Sequence, residues 1–360
     1  ETQFPDIPLI NDAVTDASVE EIAAVRQMLV DSLFNEDGTP ISDPATSATE
    51  IRGPFVFEGE LDILSFVAEG SFDLTERLTL TAGVRHIEES RFSRDTFFNN
   101  FSAEEEKDFS ATLPRASLNF RYNDQLSLYA KGRRSPVVDV NPFGETSIIK
   151  EETVNSFDVG VKHYGERLTV TAALFAYIYK DFQESFTNAE TLESMTVTVG
   201  DSSMFGFEST VDYQIDDTLR VGATLGLLDA EFDNAAADGG AFDFGGNSFR
   251  LAPEVSGSLH LSKTFLISGY PVEFEWITSF QSEVFFESSN RPELAQGSYW
   301  ISDASIKFGG DQPWRVEVYA DNLFDKDYLI DAGNTGGGFG IPTFVAGMPL
   351  VAGVRLYVDL

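Results

Sequence analysis

The sequence contains no cysteine. That excludes a disulfide framework and thiol catalysis, and says little about compartment. Histidine is nearly as scarce. The three residues His86, His163 and His260 stand far apart, and none has a metal-ligand spacing such as His-x-x-x-His. Positive charge is also short, with 24 Lys and Arg against 59 Asp and Glu and a formal net charge of -35. Such a chain is a poor nucleic-acid partner, because neutralising phosphates takes cations. The acidity fits a solvated, self-repelling surface; its functional reading is loops that concentrate cations or basic ligands. No apolar run reaches the ~18 residues of a membrane-spanning helix, although 42% of the residues are hydrophobic. A membrane β-barrel stays open, since its strands alternate and average to modest hydropathy. No signal peptide precedes the polar start at Glu1, so an exported protein would have its true N-terminus upstream.

What is present is aromatic and glycine-rich: 32 Phe, 11 Tyr and 29 Gly suit strands, girdles and turns. The organising stretch lies near the end. In Trp314-Arg-Val-Glu-Val-Tyr-Ala-Asp321, Trp314, Val316, Val318 and Ala320 share one face, and Arg315, Glu317, Tyr319 and Asp321 the other. That is a period-2 strand with one apolar side. A last segment alternates likewise, with Val354, Leu356, Val358 and Leu360 against Arg355, Tyr357 and Asp359. From about residue 55 the same unit recurs: a strand ending in an aromatic, a tight polar turn, then a strand starting with Leu or Trp. The turns fall at 73–77, 122–125, 164–167, 216–218 and 309–313. The opposite connections read as long and polar, at 94–108, 135–152, 187–203, 233–248, 287–297 and 329–349. Short turns on one side and long loops on the other are the asymmetry of outer-membrane barrels. About thirteen strands are expected between 55 and 360. An odd count does not close a single-chain barrel with both termini in the periplasm, so the chain is expected to begin inside a loop of a larger one.

The faces sort the same way. One is nearly pure Leu, Val, Ala, Phe and Trp. The other carries Arg85, Lys131, Arg133, Lys162, Glu208, Arg220, Glu273, Glu275, Glu317 and Arg355. An interior with charge on most strands cannot be a dry core; it suits a wet or plug-filled lumen with lipid outside. Inverting the faces would give a soluble sandwich, but segments such as 167–186 exceed ordinary strand lengths. Residues 1–54 differ. Thirteen of the first 60 residues are Asp or Glu, and Ser18 with Glu21 can cap one helical pattern through Leu33. This region reads as a long acidic extracellular loop holding one short helix.

The closing stretch Asn322-Leu-Phe-Asp-Lys-Asp-Tyr328 resembles the penultimate-strand signature of TonB-dependent receptors, the plugged outer-membrane barrels of Gram-negative bacteria. Phe72-Asp-Leu-Thr-Glu-Arg-Leu-Thr-Leu-Thr-Ala-Gly-Val-Arg85, Lys150-Glu-Glu-Thr-Val-Asn-Ser-Phe-Asp-Val-Gly-Val-Lys162, Phe205-Gly-Phe-Glu208, Leu228-Asp-Ala-Glu-Phe232 and Asn247-Ser-Phe-Arg-Leu-Ala-Pro253 are similar to further family segments in the same order. The resemblance covers about residues 55–360. It implies an all-β, transmembrane antiparallel barrel of about 22 strands, of which these are the C-terminal thirteen. The family's N-terminal plug, its TonB-contacting box and its first strands are not among these residues. Function is then implied as outer-membrane, energy-coupled uptake of a scarce solute, such as an iron chelate carried by a siderophore. The implied partners are outer-membrane lipid, a small-molecule ligand, and the TonB complex through the N-terminal region. No cofactor is implied.

Catalytic constellations are weak. Ser258 and Ser262 flank His260 at i±2 on one face, which leaves a barrel hydrolase or an uncoupled porin as the alternative class. His86 and His163 are read near strand ends. Glu104-Glu-Glu106 and the pair Asp321 and Asp325 fit solvated loop and turn chemistry. Gly336-Gly-Gly-Phe-Gly340 lacks the Lys-Ser/Thr of a phosphate loop and reads as a flexible lid. Specificity is expected in the long loops, because strands scaffold and loops carry binding groups. The candidate ligand contacts are Asn141, Phe143, Phe244, Asn247, Arg250, Asn334 and Phe339. Aromatics there supply contact area and polar groups set orientation.

Overall fold

A computed structural model describes residues 55–97, 100–137, 151–187, 194–237, 242–310, 312–333 and 343–358. They form eighteen strands. The first eight are β1 (Phe55–Thr75), β2 (Leu78–Phe97), β3 (Asn100–Arg121), β4 (Leu126–Val137), β5 (Glu152–Tyr164), β6 (Leu168–Thr187), β7 (Ser194–Asp216) and β8 (Leu219–Ala237). Then come β9 (Phe242–Asp243), β10 (Val255–Ile267), β11 (Tyr270–Gln281), β12 (Val284–Phe285), β13 (Ala295–Gln296), β14 (Tyr299–Phe308), β15 (Trp314–Asp321), β16 (Leu329–Gly333), β17 (Thr343–Ala346) and β18 (Val351–Val358). Thirteen strands make one sheet in the order β1-β2-β3-β4-β5-β6-β7-β8-β10-β11-β14-β15-β18, with β9 added to β8. This matches the number expected from alternation. β12–β13 and β16–β17 are separate two-stranded ribbons.

The chain forms two compact units, residues 1–58 with 94–103, and residues 59–93 with 104–360. Of the first, only the far ends of β1, β2 and β3 are described; the acidic stretch 1–54, with its expected helix, lies outside the described residues. All that follows concerns the second. Among the described residues no helix is long and apolar enough to cross a membrane.

Register fixes the two faces. Leu168, Val170 and Leu174 of β6 stand opposite Tyr213, Val211 and Phe207 of β7, and Val318 of β15 pairs with Val354 of β18. This apolar face is open: Leu174 is 58% exposed and Val354 69%. An apolar surface running across so many strands has no place in water, and hydrocarbon is its natural cover. The other face carries ion pairs between strands, such as Arg220–Asp212 at 2.9 Å and Arg355–Glu317 at 3.1 Å. Each pair compensates charge that a dry interior could not hold.

The turns are short for local reasons. Asn123 accepts the backbone N–H groups of Gln125 (2.9 Å) and Leu126 (2.7 Å). Asp216 does the same for Thr218 N at 2.7 Å and takes its hydroxyl at 2.6 Å. These are side-chain-closed turns. Ser268 and Gly269 join β10 to β11 with φ of 52° and 84°, the two-residue hairpin geometry that matches strand twist. Beside the turns stand Tyr122, Tyr164, Tyr213, Tyr270 and Trp314, all exposed, where amphipathic rings meet a membrane interface.

One sequence expectation needs correction. Much of 94–108, 187–203 and 233–248 is strand, not loop. β6 and β7 have 20 and 23 residues, about 65–75 Å at ~3.3 Å per residue. A tilted membrane strand needs only about 9–11 residues. The ladders therefore run on beyond the apolar band. Outside it both faces meet water, so the alternation that reveals a strand disappears although the backbone bonds continue. For the same reason His86 is not near a strand end. It lies within β2, with Nδ1 3.0 Å from Thr112 Oγ1.

On the charged face several aromatic rings occupy the space beside a glycine of the neighbouring strand. Tyr129 covers Gly160, Phe175 covers Gly206, His260 covers Gly222 and Tyr319 covers Gly353. A Cβ at Gly206 would come within 2.2 Å of the Phe175 ring, and one at Gly160 within 2.6 Å of Tyr129 and 2.7 Å of Ala172 O. These glycines are needed for close approach rather than for unusual φ.

Candidate functional site

The prolonged ends of β6, β7 and β8 carry a structured cap on the charged face. A bulge between Tyr179 and Phe182, with Asp181 at φ 56°, keeps both rings on one face. They meet edge to face at 5.2 Å. Phe182 stacks on Phe249 at 5.0 Å, and Phe232 lies 4.8 Å from Phe249 and 5.9 Å from Phe244. Phe232, Phe244, Phe249 and Ala230 are buried, with Met204 and Leu228 against them. The segment 242–254 is thus folded over the sheet. Its backbone is tied to β8 by Phe232 N to Asn247 O (3.0 Å) and Phe249 N to Ala230 O (3.0 Å).

A second segment, 282–298, braces the first. Asn247 Nδ2 donates to Ser288 O at 2.8 Å. Asn290 Oδ1 accepts Ser248 N at 2.7 Å, and its Nδ2 donates to Ser248 O at 2.9 Å. Leu251 N donates to Phe285 O at 2.8 Å. Val284, Phe286, Leu294 and Ala332 form their own small core, which joins this segment to β16. The link to the wall is polar: Ser288 Oγ donates to Glu184 Oε1 at 2.6 Å, both residues being buried. Burial pushes the Glu184 carboxyl above the ordinary range, against the pull of that hydrogen bond and of Arg250. Burial likewise raises Glu152, against the bond its Oε2 accepts from Gln183 N at 2.9 Å.

The candidate ligand contacts separate accordingly. Phe244 is buried in the aromatic cluster, Asn247 is half-buried between the two segments, and Arg250 is exposed beside them. The structure thus brings these three together in one segment. Asn141, Phe143, Asn334 and Phe339 lie outside the described residues. Sequence reasoning missed Glu184, Ser288 and Asn290. Their only signal is polarity at a strand end and in the run Glu287-Ser-Ser-Asn-Arg291, which any solvated loop shares.

The serine–histidine arrangement does not assemble. Ser258 Oγ pairs with Thr224 Oγ1 at 2.8 Å, and Ser262 Oγ donates to Glu273 at 3.3 Å. His260 Nε2 instead reaches across Gly222 to within 3.3 Å of Asp212 Oδ1. Among the described residues no group of His, Asp and Glu is placed to hold a metal ion.

Residues 23–323 match a family model described as TonB dependent receptor-like, beta-barrel. The structure is similar to the ferric yersiniabactin uptake receptor FyuA from Yersinia pestis (TM-score 0.70, 17% identity, 85% of this chain and 47% of that one). It is similar to the siderophore receptor PiuA from Acinetobacter baumannii (TM-score 0.66, 18% identity, 83% and 43%). It is also similar to the ferric-catecholate import receptor Fiu from K12 E. coli (TM-score 0.65, 15% identity, 83% and 45%). The chain spans somewhat less than half the length of each of these proteins.

Proposed function

The chain belongs to the TonB-dependent receptors of the Gram-negative outer membrane, and from that premise we propose that it is part of a barrel for energy-coupled uptake of a scarce solute such as an iron chelate. The observation that carries the reading is the pairing of a charged, water-compatible interior wall with a cap built by 242–254 and 282–298 over that same face. A simple sieve needs the wall but not the cap. A receptor needs a surface that meets the ligand before passage.

In this reading the barrel is no enzyme; it binds and admits. Arg250 offers an exposed cation to the ligand, Asn247 fixes the segment's shape, and Phe244 supplies the packing that holds both in place. Asn141, Phe143, Asn334 and Phe339 join them from 135–152 and 329–349, with the Gly336–Gly340 run as a lid. The partners are outer-membrane lipid on the apolar face and the TonB complex through the region that precedes these strands in the family.

The test is uptake of ⁵⁵Fe chelates by iron-starved cells with and without a proton uncoupler. Accumulation against a gradient that stops with the uncoupler supports the reading. Passage that is fast, unsaturable and indifferent to the uncoupler would replace it with an uncoupled pore. Deleting 333–340 should abolish high-affinity chelate binding and leave barrel assembly intact. Binding that survives this deletion and also Arg250→Ala would place recognition elsewhere.

A further inference from the structure

The cap over the outer end of the sheet is built of two bodies. Its buried apolar residues form two clusters with no member in common. Ala230, Phe232, Phe244 and Phe249 hold 242–254 on the sheet, and Val284, Phe286, Leu294 and Ala332 hold 284–296 against β16. The first body is fixed. Phe232 N to Asn247 O, Phe249 N to Ala230 O and Gly246 N to Phe232 O, at 2.8–3.0 Å, ladder it to β8. Its rings also pack against Tyr179, Phe182 and Met204 of the wall.

The second body closes on itself. β12 pairs with β13, and Phe286 N donates to Leu294 O at 3.0 Å. β16 pairs with β17, and Leu329 N donates to Gln296 Oε1 at 2.7 Å. Gly333 lies against Glu287, whose Oε1 would stand 3.0 Å from a Cβ placed there. The hairpin 284–296 and the β16–β17 ribbon come from two separate connections of the sheet, yet they share one core. The feet of this body are tied to the barrel. Ser282 N donates to Val255 O at 2.8 Å. Asn322, buried, donates through Nδ2 to Lys326 O (2.9 Å) and Met348 O (3.0 Å) and accepts Lys326 N (2.9 Å).

The flank where the two bodies meet is made of hydrogen bonds. Asn290 clasps Ser248 by both of its backbone groups, at 2.7 and 2.9 Å. Asn247 Nδ2 to Ser288 O, Leu251 N to Phe285 O and Ser288 Oγ to Glu184 complete the join. Among the described residues neither apolar cluster extends across it. The two kinds of contact differ in what parting them costs. Splitting an apolar core exposes hydrocarbon to water, at a cost that grows with area. Splitting hydrogen-bonded polar groups lets water replace each partner, so the net loss is small. The cap therefore parts at the polar join before either core opens.

We propose that the hairpin 284–296 and the β16–β17 ribbon are a single leaf, which swings on its feet away from the fixed segment 242–254 and is clasped to it by Asn290. Two connections that are separate in sequence then open and close as one. Asn290 suits a clasp. Its φ of 49° is a conformation that asparagine accepts more readily than most residues, and its amide offers a donor and an acceptor at once. The movement goes beyond the uptake reading and is independent of what the barrel admits.

Distances between pairs of nitroxide labels on the full-length protein in nanodiscs test this. The cysteine sites are Glu231 on β8, Ser289 on the hairpin and Val345 on the ribbon, all exposed. They give three pairs: 231 with 289, 231 with 345, and 289 with 345. Asn290→Gly keeps the backbone conformation and removes both clasp bonds. It should raise the ratio of long to short distances about tenfold, equally for the first and second pairs. The third pair should keep one unchanged distance. Adding Ser288→Ala should raise the ratio further in the first two pairs alike. A hairpin that moves while the ribbon stays in place overturns the single leaf, as does a third distance that splits or broadens. First and second distances that both stay single in Asn290→Gly with Ser288→Ala overturn the parting line itself. No transport is read, so each of these failures is distinct from a failure of energy-coupled uptake.

Discussion

The bond between Ser288 and Glu184 should act as the latch of the cap, and its strength can be worked out. Ser288 Oγ donates to a carboxylate at 2.6 Å, and both residues are buried. Hydrogen bonds to charged groups contribute about 1.5–3 kcal/mol. Ser288→Ala should therefore raise the population of the open 282–298 segment by about 10- to 150-fold. Glu184→Ala should act similarly. Glu184→Gln keeps the accepting oxygen and removes a desolvated charge, so it should hold the segment at least as well as the natural residue. The pH dependence follows from the same cause. Burial raises the Glu184 carboxyl above its value in the unfolded chain. Such a group contributes stability that is fully present below the unfolded value and is lost as pH rises through the folded one. Lowering the pH from 7 to 5 should therefore tighten the cap. Glu152, raised for the same reason, should share the effect, so Glu184→Gln should reduce the pH response and the double change with Glu152→Gln should flatten it. The assay is the line shape of a nitroxide on Ser289→Cys, an exposed position in a chain with no other thiol. A Glu184→Gln cap as loose as Glu184→Ala would refute the latch. So would a pH response that survives the double substitution.

Three further outcomes are expected. Leu225→Arg on the apolar face should cost about 2–4 kcal/mol in folding into bilayers, while Thr81→Arg on the charged face costs much less; equal tolerance would mean the faces are inverted. Cysteines at Glu166 and Asp217, in the short turns, should resist an impermeant maleimide on whole cells, whereas one at Gly245 reacts; the reverse would turn the barrel over in the membrane. Phe232→Ala, which removes the most buried ring of the cap, should cost about 3–5 kcal/mol locally, seen as faster amide exchange across 242–254 with the β4–β6 amides unchanged.

Where alternation exists, the fold was legible. Leu78 to Val84, Leu168 to Leu174 and Val354 to Val358 each declare a strand, its faces and its turn, because one side meets hydrocarbon and the other water. Beyond the band that contrast vanishes. The last residues of β2 and β8 and the first parts of β3 and β7 fall in segments whose sequence reads as loop, since no periodicity marks a ladder wet on both sides; only β6 declares its full length, over 167–186. The cap was legible only in part. Phe244, Asn247 and Arg250 stood out as aromatic and polar residues in a long connection. Their partner Ser288 lies 41 residues beyond Asn247 and Glu184 a further 104 residues back from Ser288, so only the strand register brings them together. His260 shows the same limit from the other side. Its neighbours in sequence suggested catalytic serines, whereas its neighbour in space is Asp212.

The rings lying over glycines bear on how such a sheet is put together. On the lipid side Leu, Val and Ala follow one another at every second position, so two strands sliding by two residues would lose little there. On the water side the same slip is forbidden. Tyr129 would move from Gly160 onto Asp158 or Lys162, and Phe175 from Gly206 onto Met204 or Glu208. Each glycine is then a keyhole that accepts one ring in one alignment. Because Tyr129, Phe175, His260 and Tyr319 are spread over β4, β6, β10 and β15, four of the twelve seams of the sheet carry such a key. Misaligned strands could be rejected during insertion, while the hairpins are still free to shift.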